Sequence, residues 1–252
     1  MEANSQLFCE SKSCERVDIT DYKSLIGSLL QISITTRPDI SFAVSQLTRY
    51  SNCPHKEHYL AAKRIVRYLK ATIDYSIKYD YSDETLHGYA DADWASNRED
   101  RKSISGYVYK LANGPIAYES TRQSVIAQST TEAEYIAVCS AMNEGKHLKN
   151  LLGELGYTSE AKEPILLFND NTSTIKLAKN DLMSKKTKHI DLRFHQVKEN
   201  IALGHFRIEH MSTDGMPADI LTKALTRNKH EKFCNGLGIN CLRESVRGLN
   251  SN

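Results

Sequence analysis

Apolar residues recur at intervals of three and four along residues 18–72, and this spacing predicts a module of three helices that ends near residue 74. Asp18 or Thr20 is a candidate cap for the first helix. Pro38 suits the first turn of the second helix, where its missing N–H costs nothing. The third helix sets an apolar face against a row of lysine and arginine residues, which is typical of a helix with one side in solvent.

From residue 75 the pattern changes to alternation, which predicts strands. The expected strands are residues 75–81, 85–91, 104–111, 116–119, 164–170 and 205–210, with a shorter candidate at 125–127. The expected helices are residues 130–155, with a candidate break at Gly145, then 172–179, 195–202 and 217–225. Together these elements predict an α/β fold, in which a mixed sheet is covered by helices.

The composition is that of an ordinary soluble protein, since 40% of the 252 residues are hydrophobic and 25% are charged. The net charge of +2 identifies no partner. Basic stretches at residues 63–70, 98–102 and 185–195 suit a phosphate backbone. Each is also typical of a solvated surface, which is the interpretation that we favour for a charged run alone. No apolar run approaches the length of about 18 residues that a membrane span requires.

The pattern divides the chain into four parts. We expect a disordered tail at residues 1–17, a helical module at 18–74, an α/β domain at 75–226 and a C-terminal tail at 227–252. The tail at 227–252 shows little pattern beyond a short candidate helix at 229–237.

The six cysteines are irregularly spaced and include no Cys-x-x-Cys pair. The first twenty residues are polar and lack the apolar core of a signal peptide. These features predict a reduced, intracellular protein. His189 with His195, or Cys234 with Cys241, could be imagined as zinc ligands. Neither pair has the spacing of a zinc finger, so we expect no zinc site.

Candidate chemistry comes from acidic residues that lie far apart in sequence. Asp91 and Asp93 alternate onto one face of a predicted strand, and periodicity does not choose between them. Glu132 and Glu134 both lie in the first turns of a predicted helix, where the helix dipole favours acids. Glu134 shares a face with small residues three, four and seven positions on, so this face could approach the sheet closely.

Two further acids belong to the candidate set. Asp170 ends the buried strand, at the edge where α/β sheets place their sites. Asn169 and Asn171 could cap the next helix and leave Asp170 for another role. Asp219 lies near the start of the last predicted helix, with Asp214 as a nearby competitor. Four such carboxylates, if the fold gathers them, are suited to two Mg²⁺ or Mn²⁺ ions and to phosphodiester cleavage.

Five motifs occur in order along the chain. They are Tyr-Ala-Asp-Ala-Asp-Trp-Ala at 89–95, Asp-Arg-Lys-Ser-Ile-Ser-Gly-Tyr at 100–107, Gln-Ser-Thr-Thr-Glu-Ala-Glu-Tyr-Ile-Ala at 128–137, Lys-Thr-Lys-His-Ile-Asp-Leu-Arg-Phe-His at 186–195 and Ala-Asp-Ile-Leu-Thr-Lys at 218–223. Together they resemble the C-terminal reverse transcriptase and ribonuclease H part of the Pol polyprotein of copia-type LTR retrotransposons. The resemblance covers about residues 20–240.

The resemblance implies a ribonuclease H fold, which is a mixed five-stranded sheet with helices. It implies that Asp91, Glu134, Asp170 and Asp219 are catalytic and hold two Mg²⁺ ions, so it favours Asp91 over Asp93 and Glu134 over Glu132. The implied substrate is the RNA strand of an RNA–DNA hybrid. Such enzymes distinguish the RNA strand from the DNA strand through contacts to 2′-hydroxyl groups.

Residues 22–72 resemble the helical region that closes a reverse transcriptase, to which the nuclease would originally be tethered. No Tyr-x-Asp-Asp polymerase motif occurs, so we expect a fragment or a decayed copy without polymerase activity. The implied location is the cytoplasm, virus-like particles or the nucleus. Asn97 and Glu119 depart from the family pattern, and Glu119 places an acid where a base is usual.

A catalytically silent remnant that at most binds nucleic acid is the main alternative, although all four presumed ligands are intact. An integrase-like nuclease would need three acids in a different order and an N-terminal His/Cys zinc module, and neither is present.

Overall fold

The structure is a computed structural model that describes residues 15–80, 85–95, 99–157, 162–179 and 191–241. Most of the predicted tail at 1–17 lies outside these residues. So do Asn97, His189, most of the basic stretch at 185–195 and the end of the predicted C-terminal tail. No helix in the described ranges is both long enough and apolar enough to cross a membrane.

Three helices form the N-terminal module: α1 (Ile19–Thr35), α2 (Ser41–Thr48) and α3 (Lys56–Ala71). Asp18 caps α1, because its carboxylate accepts hydrogen bonds from the backbone N–H groups of Thr20 and Asp21 at 2.8 and 3.0 Å. Pro38 begins a 3₁₀ turn, Pro38–Ile40, that leads into α2. The three helices enclose a core of their own, which includes Tyr22, Ile26, Leu29, Val44, Leu47 and Ile65.

A mixed five-stranded sheet forms the second part of the molecule. Its strands are β2 (His87–Asp93), β3 (Ile104–Leu111), β4 (Gly114–Arg122), β5 (Ile165–Asn169) and β6 (Phe206–His210). The order across the sheet is β4-β3-β2-β5-β6. β2, β3 and β4 pair antiparallel, whereas β5 runs parallel to β2 and β6. This sheet, with its flanking helices, confirms the predicted ribonuclease H-like α/β class.

Helix α4 (Thr130–Glu154) packs across β2 and β3 and continues without a break at Gly145. The candidate break was wrong, and a close contact explains the glycine. The Tyr109 hydroxyl donates a hydrogen bond of 2.6 Å to the backbone carbonyl of Ala141, which brings the phenol ring against α4. A Cβ at position 145 would meet that ring and Phe206. Gly145 therefore lets the helix approach the sheet.

Helices α5 (Thr172–Lys179) and α6 (Asp191–Ala202) follow β5 and precede β6. Residues 125–127, a candidate strand, form none. The Ala127 carbonyl instead accepts a hydrogen bond of 3.0 Å from Trp94 Nε1, just before α4 begins.

The C-terminal part differs most from expectation. The predicted helix at 217–225 is a 3₁₀ turn, Pro217–Leu221. The candidate helix at 229–237 is confirmed as α7 (Arg227–Gly236), and the predicted tail also contains a strand that was not predicted, β7 (Ile239–Cys241). β7 pairs antiparallel with β1 (Tyr75–Ile77), which is therefore separate from the main sheet. Apolar side chains of this tail, namely Phe233, Cys234, Leu237 and Ile239, are buried against Val108 and Ile220. These four apolar residues are too few for their spacing to predict a buried element.

The helical module lies against the sheet at the β4 edge and against the C-terminal turn. Helix α2 contacts β4, where the hydroxyl oxygens of Ser45 and Ser120 lie 3.2 Å apart. The Pro38–Ile40 turn contacts the Pro217–Leu221 turn. Where the domains divide remains a prediction, since these parts share an interface.

Candidate active site

Asp91 lies near the C-terminal end of the central strand β2 and is fully buried. Its cross-strand partner on β3 is Gly106. A Cβ at Gly106 would lie 2.7 Å from Thr222 Cγ2 and 2.8 Å from Leu221 Cβ. The glycine therefore lets the segment after the Pro217–Leu221 turn lie directly over the sheet. There the Thr222 hydroxyl donates a hydrogen bond to the Asp91 carboxylate.

Both glutamates that the sequence offered lie near the start of α4, Glu132 in its first turn and Glu134 two residues later. Ser129 caps the helix by accepting a hydrogen bond of 3.2 Å from the Glu132 backbone N–H. The Glu132 carboxylate accepts one of 2.9 Å from the Gln128 backbone N–H, so Glu132 acts in the helix cap. Glu134 takes no part in these capping bonds, so its carboxylate is available to the site.

Glu134 points towards the ends of two neighbouring parallel strands. Asn169, the last residue of β5, donates from Nδ2 to Glu134 Oε2 at 3.0 Å and to the Ala90 backbone carbonyl at 2.9 Å. This amide is completely buried and fixes the carboxylate relative to β2. Glu134 is thereby held beside Asp91.

Asp170 follows β5 directly and is half-buried. Thr213 Oγ1 donates a hydrogen bond of 2.7 Å to Asp170 Oδ2. Asn171 supplies the helix cap, since its side-chain oxygen accepts from the backbone N–H groups of Ser173 and Thr174 at 3.0 and 3.1 Å. As the sequence suggested, the capping role falls to an asparagine and Asp170 remains for another role.

Three of the four predicted acids meet in one cluster. Each of Asp91, Glu134 and Asp170 offers a carboxylate oxygen, and these oxygens lie within 4.8 Å of one another. Asp93, the alternative to Asp91 in the sequence, is not a member of this cluster. The cluster lies where the parallel strands β2 and β5 end.

Asp219, the fourth predicted acid, is almost fully buried in the Pro217–Leu221 turn and joins the others through a lysine. Lys223 Nζ lies 2.9 Å from Asp219 Oδ1 and 3.2 Å from both oxygens of Asp91. Lys229 Nζ lies 3.6 Å from Asp219 Oδ2. An ammonium group thus lies between Asp91 and Asp219.

The pKa values of these groups respond to burial and to mutual repulsion. Burial raises the pKa of Asp91 to about 6, an effect that Lys223 opposes and Asp219 reinforces. The pKa of Glu134 is raised well above its ordinary value, first by burial and then by the negative charge of Asp91. Burial alone would lower the pKa of Lys223, but Asp91 and Asp219 outweigh it, so the net shift is upward. Ionising Asp91 and Glu134 together therefore costs free energy unless a cation is bound nearby.

The cluster fits a hard divalent cation. Carboxylate oxygens are the ligands that Mg²⁺ and Mn²⁺ prefer, and three of them converge here. Asn169 and Thr222 hold two of the carboxylates in fixed orientations, as the outer partners of metal ligands do.

Sequence reasoning missed Asn169, Thr222 and Lys223 as parts of the site. Lys223 follows Asp219 by four residues, a spacing that allows an ion pair on one turn. Its contact with Asp91 depends on the tertiary fold and has no sequence signal.

Comparison with known proteins places the chain among transposon polyproteins, although no family model matches it. It is 40% identical over 210 residues to the retrovirus-related Pol polyprotein from transposon TNT 1-94 of Nicotiana tabacum, covering 83% of this chain. It is 36% identical over 233 residues to the corresponding polyprotein from transposon RE2 of Arabidopsis thaliana, covering 92% of this chain. The chain spans only 16% of the length of each.

Solved structures give a more distant likeness. LC11 RNase H1 in complex with an RNA/DNA hybrid matches with a TM-score of 0.42 and 12% identity, over 55% of this chain and 94% of that one. A likeness at this level adds nothing to the strand topology described above.

Proposed function

Because this chain belongs to the retrovirus-related Pol polyproteins of copia-type transposons, we propose that it is a ribonuclease H that hydrolyses the RNA strand of RNA–DNA hybrids. The observation that carries the proposal is the convergence of Asp91, Glu134 and Asp170 within 4.8 Å. Membership of the family supports a nuclease, and the donor set supports one that depends on divalent metal.

Asp91, Glu134 and Asp170 would hold one divalent ion, and Asp91 with Asp219 would hold a second. When bound, such ions lower the pKa of an attacking water and stabilise the leaving oxygen of the phosphodiester. The chain's own residues prepare the site: Asn169 orients the Glu134 carboxylate and Thr222 orients that of Asp91. Either Mg²⁺ or Mn²⁺ suits these ligands.

The substrate and partners follow from the family. A ribonuclease H in a Pol polyprotein acts beside a reverse transcriptase, and the helical module at residues 18–74 would join the two. Contacts to 2′-hydroxyls would distinguish the RNA strand from the DNA strand. We further propose that the chain acts inside the cell, where the RNA–DNA hybrid is made.

The test is cleavage of a labelled RNA–DNA hybrid by the purified chain with Mg²⁺. Single-stranded RNA, an RNA duplex and an EDTA sample serve as substrate and metal controls. We expect cutting that is confined to the RNA strand of the hybrid and abolished by EDTA. Folded protein that cuts none of the substrates would overturn the proposal.

A silent remnant that binds nucleic acid without cutting it is the second candidate. The observation that favours it is the position of Lys223, whose ammonium group lies where a second metal would have to bind. Saturable hybrid binding without cleavage at any Mg²⁺ or Mn²⁺ concentration would support this candidate.

A further inference from the structure

The ammonium group of Lys223 lies between two carboxylates from different parts of the fold. Asp91 comes from β2, and Asp219 comes from the Pro217–Leu221 turn. The Nζ atom lies 3.2 Å from the first and 2.9 Å from the second, close enough to hydrogen-bond both. Through this nitrogen Lys223 joins the turn to the central strand.

The surroundings make a cation at this point necessary. The side chains of Asp91 and Asp219 are 0% and 1% exposed, so water cannot screen their charges. An unpaired buried carboxylate is strongly unfavourable, and two close together are worse. The Lys223 side chain is 29% exposed, so it also has a path to solvent. Lys223 therefore forms ion pairs with both acids, and its ammonium group is close enough to solvent to move out of the site.

Asp91 is shared between two cation positions. It belongs to the cluster with Glu134 and Asp170, neither of which forms an ion pair with a lysine among the described residues. Both of its oxygens also lie 3.2 Å from Lys223 Nζ, which in turn contacts Asp219. The first position is built for an external ion, whereas the second already contains a charge carried by the chain.

We propose that Lys223 is a tethered cation that occupies the second position in the metal-free protein and that a divalent ion must displace it to bind there. This inference rests on the proposed function, because it concerns the metal ions of the same site. The flexible four-carbon stem of lysine suits such a movement. The two positions therefore fill in order, and the position between Asp91 and Asp219 is the weaker one.

Displacement predicts how substitutions change metal binding. In Lys223→Met no ammonium competes, so we expect Mn²⁺ to bind the second position at least about tenfold more tightly, because the attraction of Lys223 to Asp91 and Asp219 no longer has to be overcome. The metal-free Lys223→Met protein should melt at a lower temperature, and Mn²⁺ should restore it.

Lys229→Met is the matched control. It also removes one positive charge 3.6 Å from Asp219, but Lys229 is not among the groups that contact Asp91. If displacement at the second position is the cause, Lys229→Met should leave the tighter binding step unchanged and shift the weaker step much less than Lys223→Met does.

Isothermal titration of the full chain with Mn²⁺, without nucleic acid, measures these affinities. Equal isotherms for the wild type and Lys223→Met would overturn the inference, as would equal shifts in Lys223→Met and Lys229→Met. Because no cleavage is measured, a chain that binds two ions in the expected order and cuts nothing would retain the inference and overturn the proposed function.

A measurement on the wild type covers the case in which Lys223→Met does not fold. In protein with ¹³Cε-labelled lysine, Mg²⁺ should shift the Lys223 signal, and the shift should follow the second binding step. The signal can be assigned with Lys223→Arg. A Lys223 signal that is unmoved at saturating Mg²⁺ would overturn the inference.

Discussion

Arg37 and Asp39 form a buried ion pair with two hydrogen bonds, from Nε to Oδ1 at 2.9 Å and from Nη2 to Oδ2 at 2.7 Å. The Tyr68 hydroxyl donates a third bond to the same carboxylate at 2.7 Å. The Nε2 atom of His230, on α7, lies 3.1 Å from the backbone carbonyl oxygen of Asp39. The pair thus connects the helical module to the C-terminal helix, beside the turn that carries Asp219.

Replacing Asp39 with Asn should destabilise the protein, because the Arg37 guanidinium would remain buried without its counter-charge. We expect the free energy of unfolding to fall by about 3–5 kcal/mol, the usual cost of breaking a buried pair. Urea unfolding followed by circular dichroism measures this change. The control is Glu99→Gln, which removes a more exposed pair with Arg49 and should cost no more than about 1 kcal/mol. Equal effects of the two substitutions would contradict the role assigned to Arg37 and Asp39.

Replacing Asp170 with Asn should abolish metal-dependent cleavage and spare the fold. Asn keeps the shape of the side chain and can still accept the bond from Thr213, but it loses the charge that binds metal. Since even outer partners of metal ligands change activity by about 10–100-fold, we expect a loss above about 100-fold. Cleavage rates and melting temperatures are compared with those of Asp214→Asn, whose carboxylate is largely exposed. Undiminished cutting by Asp170→Asn would remove Asp170 from the site.

The stability of the metal-free protein should fall as the pH rises from about 4 to about 6. The pKa of Asp91 is raised to about 6 from 3.8, and that of Glu134 is raised too. Over this window these two carboxyl groups bind more protons in the native state than in the unfolded chain, so their contribution to the free energy of unfolding decreases with pH. Urea titrations in EDTA at several pH values measure the slope.

Glu134→Gln and added Mg²⁺ provide the controls for this slope. The variant has no titrating group at position 134, so its stability should fall less steeply over the same window. Saturating Mg²⁺ binds the ionised carboxylates and should make the wild type more stable as the pH rises. Identical slopes in EDTA for the wild type and Glu134→Gln would show that Glu134 does not titrate as described.

Replacing Gly106 with Ala should disturb the site through packing alone. The added methyl group would collide with Thr222 and Leu221 and push the Thr222 hydroxyl away from Asp91. Overpacking of this kind costs about 1–3 kcal/mol. Gly27→Ala on α1 is the matched control, because a Cβ there meets nothing within 4 Å and alanine favours a helix. Urea unfolding and Mn²⁺ titration of both variants test the difference, and a Gly106→Ala protein with wild-type stability and Mn²⁺ affinity would contradict it.

Strongly periodic segments were predictable from sequence, and tertiary contacts were not. The strand at 104–111 and the helix at 172–179 match β3 and α5 because each has a clear apolar pattern within one element. The choice of Glu134 over Glu132 agrees with the small-residue face of α4, which the sheet requires for close packing. The assignment of the four acids as catalytic remains a prediction.

Strand β7 and the burial of the C-terminal residues escaped prediction because both depend on distant partners. Strand β7 has three residues and pairs with β1, from the other end of the α/β region. Helix α7 matches the candidate helix at 229–237, but its burial was not predictable, because only the adjacent Phe233 and Cys234 are buried and they form no apolar repeat. In the sequence, nothing distinguishes Lys223 from a surface lysine, because its contact with Asp91 forms only in the folded protein.

The pairing of β1 with β7 also bears on how the protein emerges from the ribosome. Every acid of the candidate site has been synthesised by residue 219, but β1 has no partner until residues 239–241 have been made. Until then its edge and the apolar side chains beneath it stay open to other chains. A premature stop codon after residue 226 would therefore release a polypeptide with all four acids and an unclosed fold, prone to aggregate before it could act.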